Sequence, residues 1–165
     1  MRDKLDQFII KSYKLFESDN KQQEFIEACK IGDLNLVKLF LKDPRVDPSN
    51  NGNNGIVWAS CNGHIEVVRE LLKDDRVDPS DEKNYAIRLA AESNHLEIVK
   101  LLLKDPRVDP STINNMAIRW AAKRGHDDIV ILLLRDKRVR DKLTDEEIAE
   151  YGKLLTTDLI LKLNK

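Results

Sequence analysis

One interval governs this chain. Val46, Val77, Val108 and Val139 stand 31 residues apart. The first three sit in nearly the same words, Asp43-Pro-Arg-Val-Asp-Pro-Ser49, Asp74-Asp-Arg-Val-Asp-Pro-Ser80 and Asp105-Pro-Arg-Val-Asp-Pro-Ser111, and Asp136-Lys-Arg-Val-Arg-Asp141 is a degenerate fourth. A fixed period of this size requires stacked supersecondary units, because one core wound from unrelated elements has no reason to keep a register. Further columns share the phase: Gly32, Gly63, Asn94 and Gly125; Asp33, His64, His95 and His126; Ala28, Ala59, Ala90 and Ala121; Val37, Val68, Val99 and Val130; Leu41, Leu72, Leu103 and Leu134.

Each unit reads as two short helices and a finger. Tyr85 to Ser93 is Ala-rich and helix-favouring. Asn94 then holds the Gly column, and Gly and Asn are the residues that tolerate the left-handed backbone just past a helix end. Leu96, Val99, Leu102 and Leu103 follow at helical spacing as a second helix with a wide apolar stripe. Lys-Asp-Pro stops that helix in two of the three full repeats, since the residue before proline is driven out of the helical region. Arg-Val-Asp-Pro-Ser reads as a short extended finger leading to a turn.

These residues resemble a known family. Ala-Ser-Cys-Asn-Gly-His-Ile-Glu-Val-Val-Arg-Glu-Leu-Leu (59–72) and Ala-Ala-Glu-Ser-Asn-His-Leu-Glu-Ile-Val-Lys-Leu-Leu-Leu (90–103) are similar to the core of the ankyrin repeat. The resemblance is strong over 20–143 and weak beyond it. It implies an all-α ankyrin-repeat solenoid of stacked helix-turn-helix units with short extended fingers. The predicted organisation is an N-terminal capping helix (1–19), four repeats (20–50, 51–81, 82–112, 113–143) and a C-terminal capping half-repeat (144–165). Two departures stand out. Ankyrin units usually run 33 residues, and the family's Thr-Pro-Leu-His is replaced by Asn54-Gly-Ile-Val-Trp58, Tyr85-Ala-Ile-Arg-Leu89 and Met116-Ala-Ile-Arg-Trp120. The Asp-Pro-Arg-Val-Asp-Pro-Ser variety resembles the ankyrin arrays of giant DNA viruses and some protists, a source that would put the protein in a host cytoplasm.

The ends read as caps. Leu5, Phe8, Ile9, Ser12 and Phe16 line one helical face, an extra helix covering the first repeat. Glu27 stands where Trp58, Leu89 and Trp120 stand later. Thr144-Asp-Glu-Glu147 is a capping box opening a helix to about Leu155, with Tyr151 in the Trp column and a shortened second helix over 157–163. Trp58 and Trp120 share their column with Leu89, which predicts burial.

Several residues invite a chemical reading. Three histidines in one phase lie in successive units, too far apart to share the first shell of a zinc ion, given roughly 8–10 Å between packed helices; the resemblance gives them a structural role at the turn. The repeated aspartates sit one per unit in like environments, unsuited to an acid and base of unlike pKa. Ser49, Ser80 and Ser111 follow proline as turn residues. No phosphate loop, His-Glu-x-x-His or Cys-x-x-Cys pattern occurs. The reading is therefore of no enzyme, no metal and no cofactor. Arg45, Arg76 and Arg107, each two residues before Asp47, Asp78 and Asp109, suggest a charge ladder along the fingers.

A formal net charge of -1 argues against nucleic acid, and the sequence has no apolar run of membrane-spanning length. Cys29 and Cys61 read as reduced thiols of a cytoplasmic or nuclear protein. The expected role is to bind a partner protein as a monomer, through positions where the repeats differ. These are Asn53, Asp81, Glu82, Lys83, Thr112 and Ile113 at the finger tips, and Asn62, Glu92, Ser93, Lys123 and Arg124 beside the Gly column. The resemblance places both sets on a concave face and its rim. The other reading is a structural or assembly component that self-associates through the N-terminal helix.

Overall fold

The computed structural model describes the backbone of residues 20–163 and the side chains through residue 154; the expected N-terminal helix and its self-association lie outside these residues. The elements are α1 (20–31), α2 (Leu34–Phe40), α3 (Asn50–Cys61), α4 (Ile65–Leu71), α5 (Asp81–Glu92), α6 (Leu96–Leu102), α7 (Thr112–Arg124), α8 (Asp127–Leu134), α9 (Lys137–Arg140) and α10 (Asp145–Leu163). No strand occurs among the described residues. The pairs α3/α4, α5/α6 and α7/α8 are hairpins. They form a row in which α3, α5 and α7 pack side by side as an inner layer and α2, α4, α6 and α8 as an outer one.

The periodic columns are what the row buries. The four column valines are at most 2% exposed, and Ala28, Ala59, Ala90, Ala121 and Val37, Val68, Val99, Val130 are as deeply enclosed. Each hairpin turns at the Gly column, where Gly32, Gly63, Asn94 and Gly125 all take positive φ. The next position ties the turn to the preceding repeat. His64, His95 and His126 place Nε2 at 2.8, 2.9 and 2.9 Å from the carbonyl oxygens of Lys30, Cys61 and Glu92. A carbonyl only accepts, so Nε2–H donates. In the first repeat Asp33 holds the place and instead caps α2, its carboxylate accepting the Leu36 N–H at 3.0 Å.

The fingers have an unforeseen geometry. Only Val-Asp lies outside turns, between one closed by Val46 N–H to the Asp43 carbonyl and an Asp-Pro-Ser turn in which Asp47 accepts both the N–H and the hydroxyl of Ser49. The latter turn recurs at Asp78/Ser80 and Asp109/Ser111. Three consecutive left-handed residues then follow: Asn51-Gly52-Asn53, Glu82-Lys83-Asn84 and Ile113-Asn114-Asn115. Right-handed inner helix begins only after them. Left-handed backbone costs non-glycine residues roughly 1–2 kcal/mol each, so these turns need external bracing. Where the turn lacks glycine, an arginine supplies it. Arg88 donates to the Glu82 and Lys83 carbonyls at 3.0 and 3.2 Å, and Arg119 to the Asn114 carbonyl at 2.8 Å. The turn that contains Gly52 has Val57 at the corresponding position.

A column of amides links each finger to the next. Gln22 accepts the Asp47 N–H at 2.9 Å, Asn53 the Asp78 N–H at 2.8 Å and Asn84 the Asp109 N–H at 2.8 Å. Asn115 ends the series. The Arg140 N–H is taken by the Asp136 carbonyl inside α9, and the buried Asn115 Oδ1 is left without a partner.

Two expectations need correction here. The finger arginines pair with the aspartate before them, not the one after. Arg45, Arg76, Arg107 and Arg138 hold Asp43, Asp74, Asp105 and Asp136 in two-pronged bonds of 2.6–3.1 Å. The turn folds the earlier carboxylate onto the guanidinium, whereas Asp47, Asp78 and Asp109 are engaged by their own serines. The remaining guanidinium nitrogen reaches back one repeat, as in Arg107 Nη1 to the Val77 carbonyl and Arg138 Nη1 to the Val108 carbonyl, both 2.9 Å. Secondly, the C-terminal capping box forms, with Thr144 and Glu147 exchanging bonds of 3.0 and 3.2 Å, but α10 continues unbroken to Leu163 and makes no second hairpin arm. Thr156 stands at the Gly phase there, and a β-branched residue opposes the left-handed turn a reversal needs.

The finger pairs make stability depend on acid. The Arg45 side chain, hydrogen-bonded to Asp43, lowers its carboxyl to about 2. The carboxyls of Asp74, Asp105 and Asp136 are lowered for the same reason by Arg76, Arg107 and Arg138. A folded pKa below the unfolded value of about 3.9 means stability that is complete above that value and is lost as pH falls through the folded pKa. Urea melts are therefore expected to weaken progressively from about pH 4 towards pH 2, and less steeply in Arg107→Gln; an identical slope in that variant would remove the finger pairs from the account.

Candidate functional site

The predicted positions fall into two bands at opposite ends of the inner helices. The finger tips lie at the start of each helix and the Gly-side residues at its end, about 12 Å apart for eight residues of helix. Within each band the residues link repeat to repeat. The Arg124 guanidinium donates to Glu92 at 2.7 Å, Asn62 donates to the Lys30 carbonyl at 2.8 Å, and the Ser93 hydroxyl lies 3.8 Å from the Cys61 sulfur. At the tips, Asp81 accepts from Asn53 at 2.8 Å and from the Glu82 N–H at 2.7 Å, and Thr112 donates to the Lys83 carbonyl at 2.9 Å. Glu82, Lys83 and Ile113 are exposed, as are Asn62, Lys123 and Arg124.

Asn53 does not belong to this surface. It is 2% exposed and both ends of its amide are bonded inside the fold. The signal was present, since Gln22, Asn53, Asn84 and Asn115 share one phase; an amide repeated at the structural period marks a scaffold position.

Between the bands runs a third, which the apolar phase misassigned to the core. Trp58 is 38% exposed, Leu89 and Trp120 are half-buried, and only Tyr151 at the end is buried. The column lies on the side of the inner helices turned away from the outer layer, and Glu27 continues it as an exposed residue. Tyr85, 36% exposed, adds a further ring. Beneath Tyr85 and Trp120 lies Arg88, 7% exposed, its guanidinium carbon 4.7 and 5.8 Å from the two ring centroids. Burial lowers its pKa. Its described partners are two carbonyls and the Met116 sulfur at 3.2 Å. A cleft of about 410 Å³ opens between α5 and α7, walled by Glu92, Trp120, Lys123 and Arg124.

Nothing in this arrangement assembles a nucleophile with a base. The three imidazoles are engaged by carbonyls, and among the described residues no group of three or more His, Cys, Asp or Glu side chains could hold a metal ion. Burial pushes the Cys29 thiol up to about 12, which keeps it inert at neutral pH. No helix among the described residues is long and apolar enough to cross a membrane. What the surface offers is apolar area, rings and charges held on rigid helices.

Comparison with known proteins agrees with the geometry. A family model described as ankyrin repeats (3 copies) matches residues 8–82, 25–114 and 75–145. No curated protein matches the chain.

Proposed function

Because the chain belongs to the ankyrin repeat family, whose repeats are in general protein–protein interaction modules and typically non-enzymatic, we propose that it holds a partner protein across the open face of α1, α3, α5 and α7. The observation that carries this reading is the ring column. A stack built only for its own stability would turn Trp58 inward, as it does the flanking Ile56, Val57 and Ala59, each at most 3% exposed. Leaving a tryptophan 38% exposed on a rigid face forgoes burial, and tryptophan is the residue most enriched where partners concentrate their binding energy. The mechanism is presentation: the column bonds fix the helices beforehand, so docking orders little of this chain and loses little entropy.

A photo-reactive residue placed at Trp58 should cross-link the partner in extracts of the source cell, and one at Lys38 on α2 should not. Replacing Asp81, Glu82, Glu92, Lys123 and Arg124 together should then weaken the recovered partner at least about tenfold, the usual scale for loss of several interface contacts. Unimpaired binding by that variant would refute the assignment to this face.

A further inference from the structure

The cleft between α5 and α7 holds more positive charge than its carboxylate answers. Lys123 on its wall is exposed and takes part in none of the described ion pairs. Arg124 has Glu92, yet its side chain stays 60% exposed. Two cations thus face one carboxylate, around the half-buried ring of Trp120. The second repeat differs: Trp58 has Cys61 and Asn62 at the matching positions, with no charge.

We propose that this cleft takes an acidic segment of a partner protein, one in which a carboxylate neighbours an apolar side chain. The apolar group lies on the Trp120 ring, and the carboxylate meets Lys123 and the free edge of Arg124. This rests on the reading of the open face as the partner surface and names the chemistry that part of it selects. A phosphate backbone fits less well. Nucleic-acid binding draws on many phosphate contacts, whereas the surplus here is about one charge on a chain of net charge -1.

The two tryptophans are separate reporters, since their indole N–H signals resolve site from site. An acetylated peptide of glutamates flanking one phenylalanine, titrated into the full chain, should shift the Trp120 indole saturably and leave that of Trp58 in place. Rising sodium chloride should weaken the shift. Lys123→Glu combined with Arg124→Glu should reduce affinity by about tenfold or more, the scale of reversed charges at a contact. Lys123→Gln, which leaves the Glu92–Arg124 pair intact, should give a smaller loss, and circular dichroism should show both variants folded. The inference is overturned if the glutamine version of the peptide shifts Trp120 equally, if the charge reversal leaves affinity unchanged, or if oligothymidylate competes better than the acidic peptide. A lysine version that binds instead, moving either indole, would sink the acidic preference and leave the partner surface standing.

Discussion

Gly63→Ala should destabilise the protein by about 3 kcal/mol, while Gly125→Ala, in the same column, should cost only about 1. Both glycines have positive φ, 82° and 74°, so both substitutions carry the strain of a left-handed alanine. They differ in what the new methyl meets. At Gly63 it would stand 2.6 Å from the His95 ring; at Gly125 nothing lies within 4 Å. The ring has no free direction of retreat, because its Nε2–H is spent on the Cys61 carbonyl. Moving it surrenders that bond, worth about 1 kcal/mol, which ties this turn to the preceding repeat. Urea melts followed by circular dichroism measure both variants. Equal losses would mean that the imidazole column yields freely and contributes nothing to the stacking.

Asn53→Ala should cost about 3–4 kcal/mol and Asn115→Ala about 2. The backbone strain is the same, with φ of 56° and 60°, and asparagine tolerates it better than alanine. The difference lies in the amides. Asn53 answers the Asp78 N–H and donates to Asp81, so its loss strands a donor between two fingers. Asn115 donates to the Val139 carbonyl, but its oxygen already lacks a partner. For a chain of this length the Asn53 variant should melt roughly 10 °C lower. If Asn115→Ala proves the more damaging, the ladder is not what holds the fingers in register.

How legible this was in the sequence depends on whether a residue's role is set within its own repeat. Gly32, Gly63, Asn94 and Gly125 were readable because a left-handed turn restricts side chains wherever it occurs. The Thr144–Glu147 box was readable because it closes within one helical turn. The left-handed fingers were not. Glu82, Lys83 and Ile113 have no preference for that backbone and adopt it because Arg88, Arg119 and the amide column hold the carbonyls and N–H groups from outside. The pairing of Arg45 with Asp43 depends on the direction in which the Asp-Pro-Arg-Val turn folds, which spacing alone leaves open. Trp58 and Trp120 show the limit of phase: a shared apolar column marks a shared place in each repeat, and apolarity does not say whether that place is covered. Tyr151 is buried and Trp58 exposed in one column.

The ties between fingers and turns all reach a single neighbour at a fixed offset. Histidine grips a carbonyl 34 residues earlier, arginine one 30 earlier, and the amide an N–H 25 later. Each such unit exports the same donors and imports the same acceptors, so a junction cannot tell which two units it joins. Excising residues 82–112 in frame would bring the second repeat against the fourth with these sockets filled, whereas removing one residue more or fewer would misalign every tie that crosses the join. The array is therefore modular in length by whole units, and a gene for it can lengthen or shorten by recombination without first passing through an unfolded product.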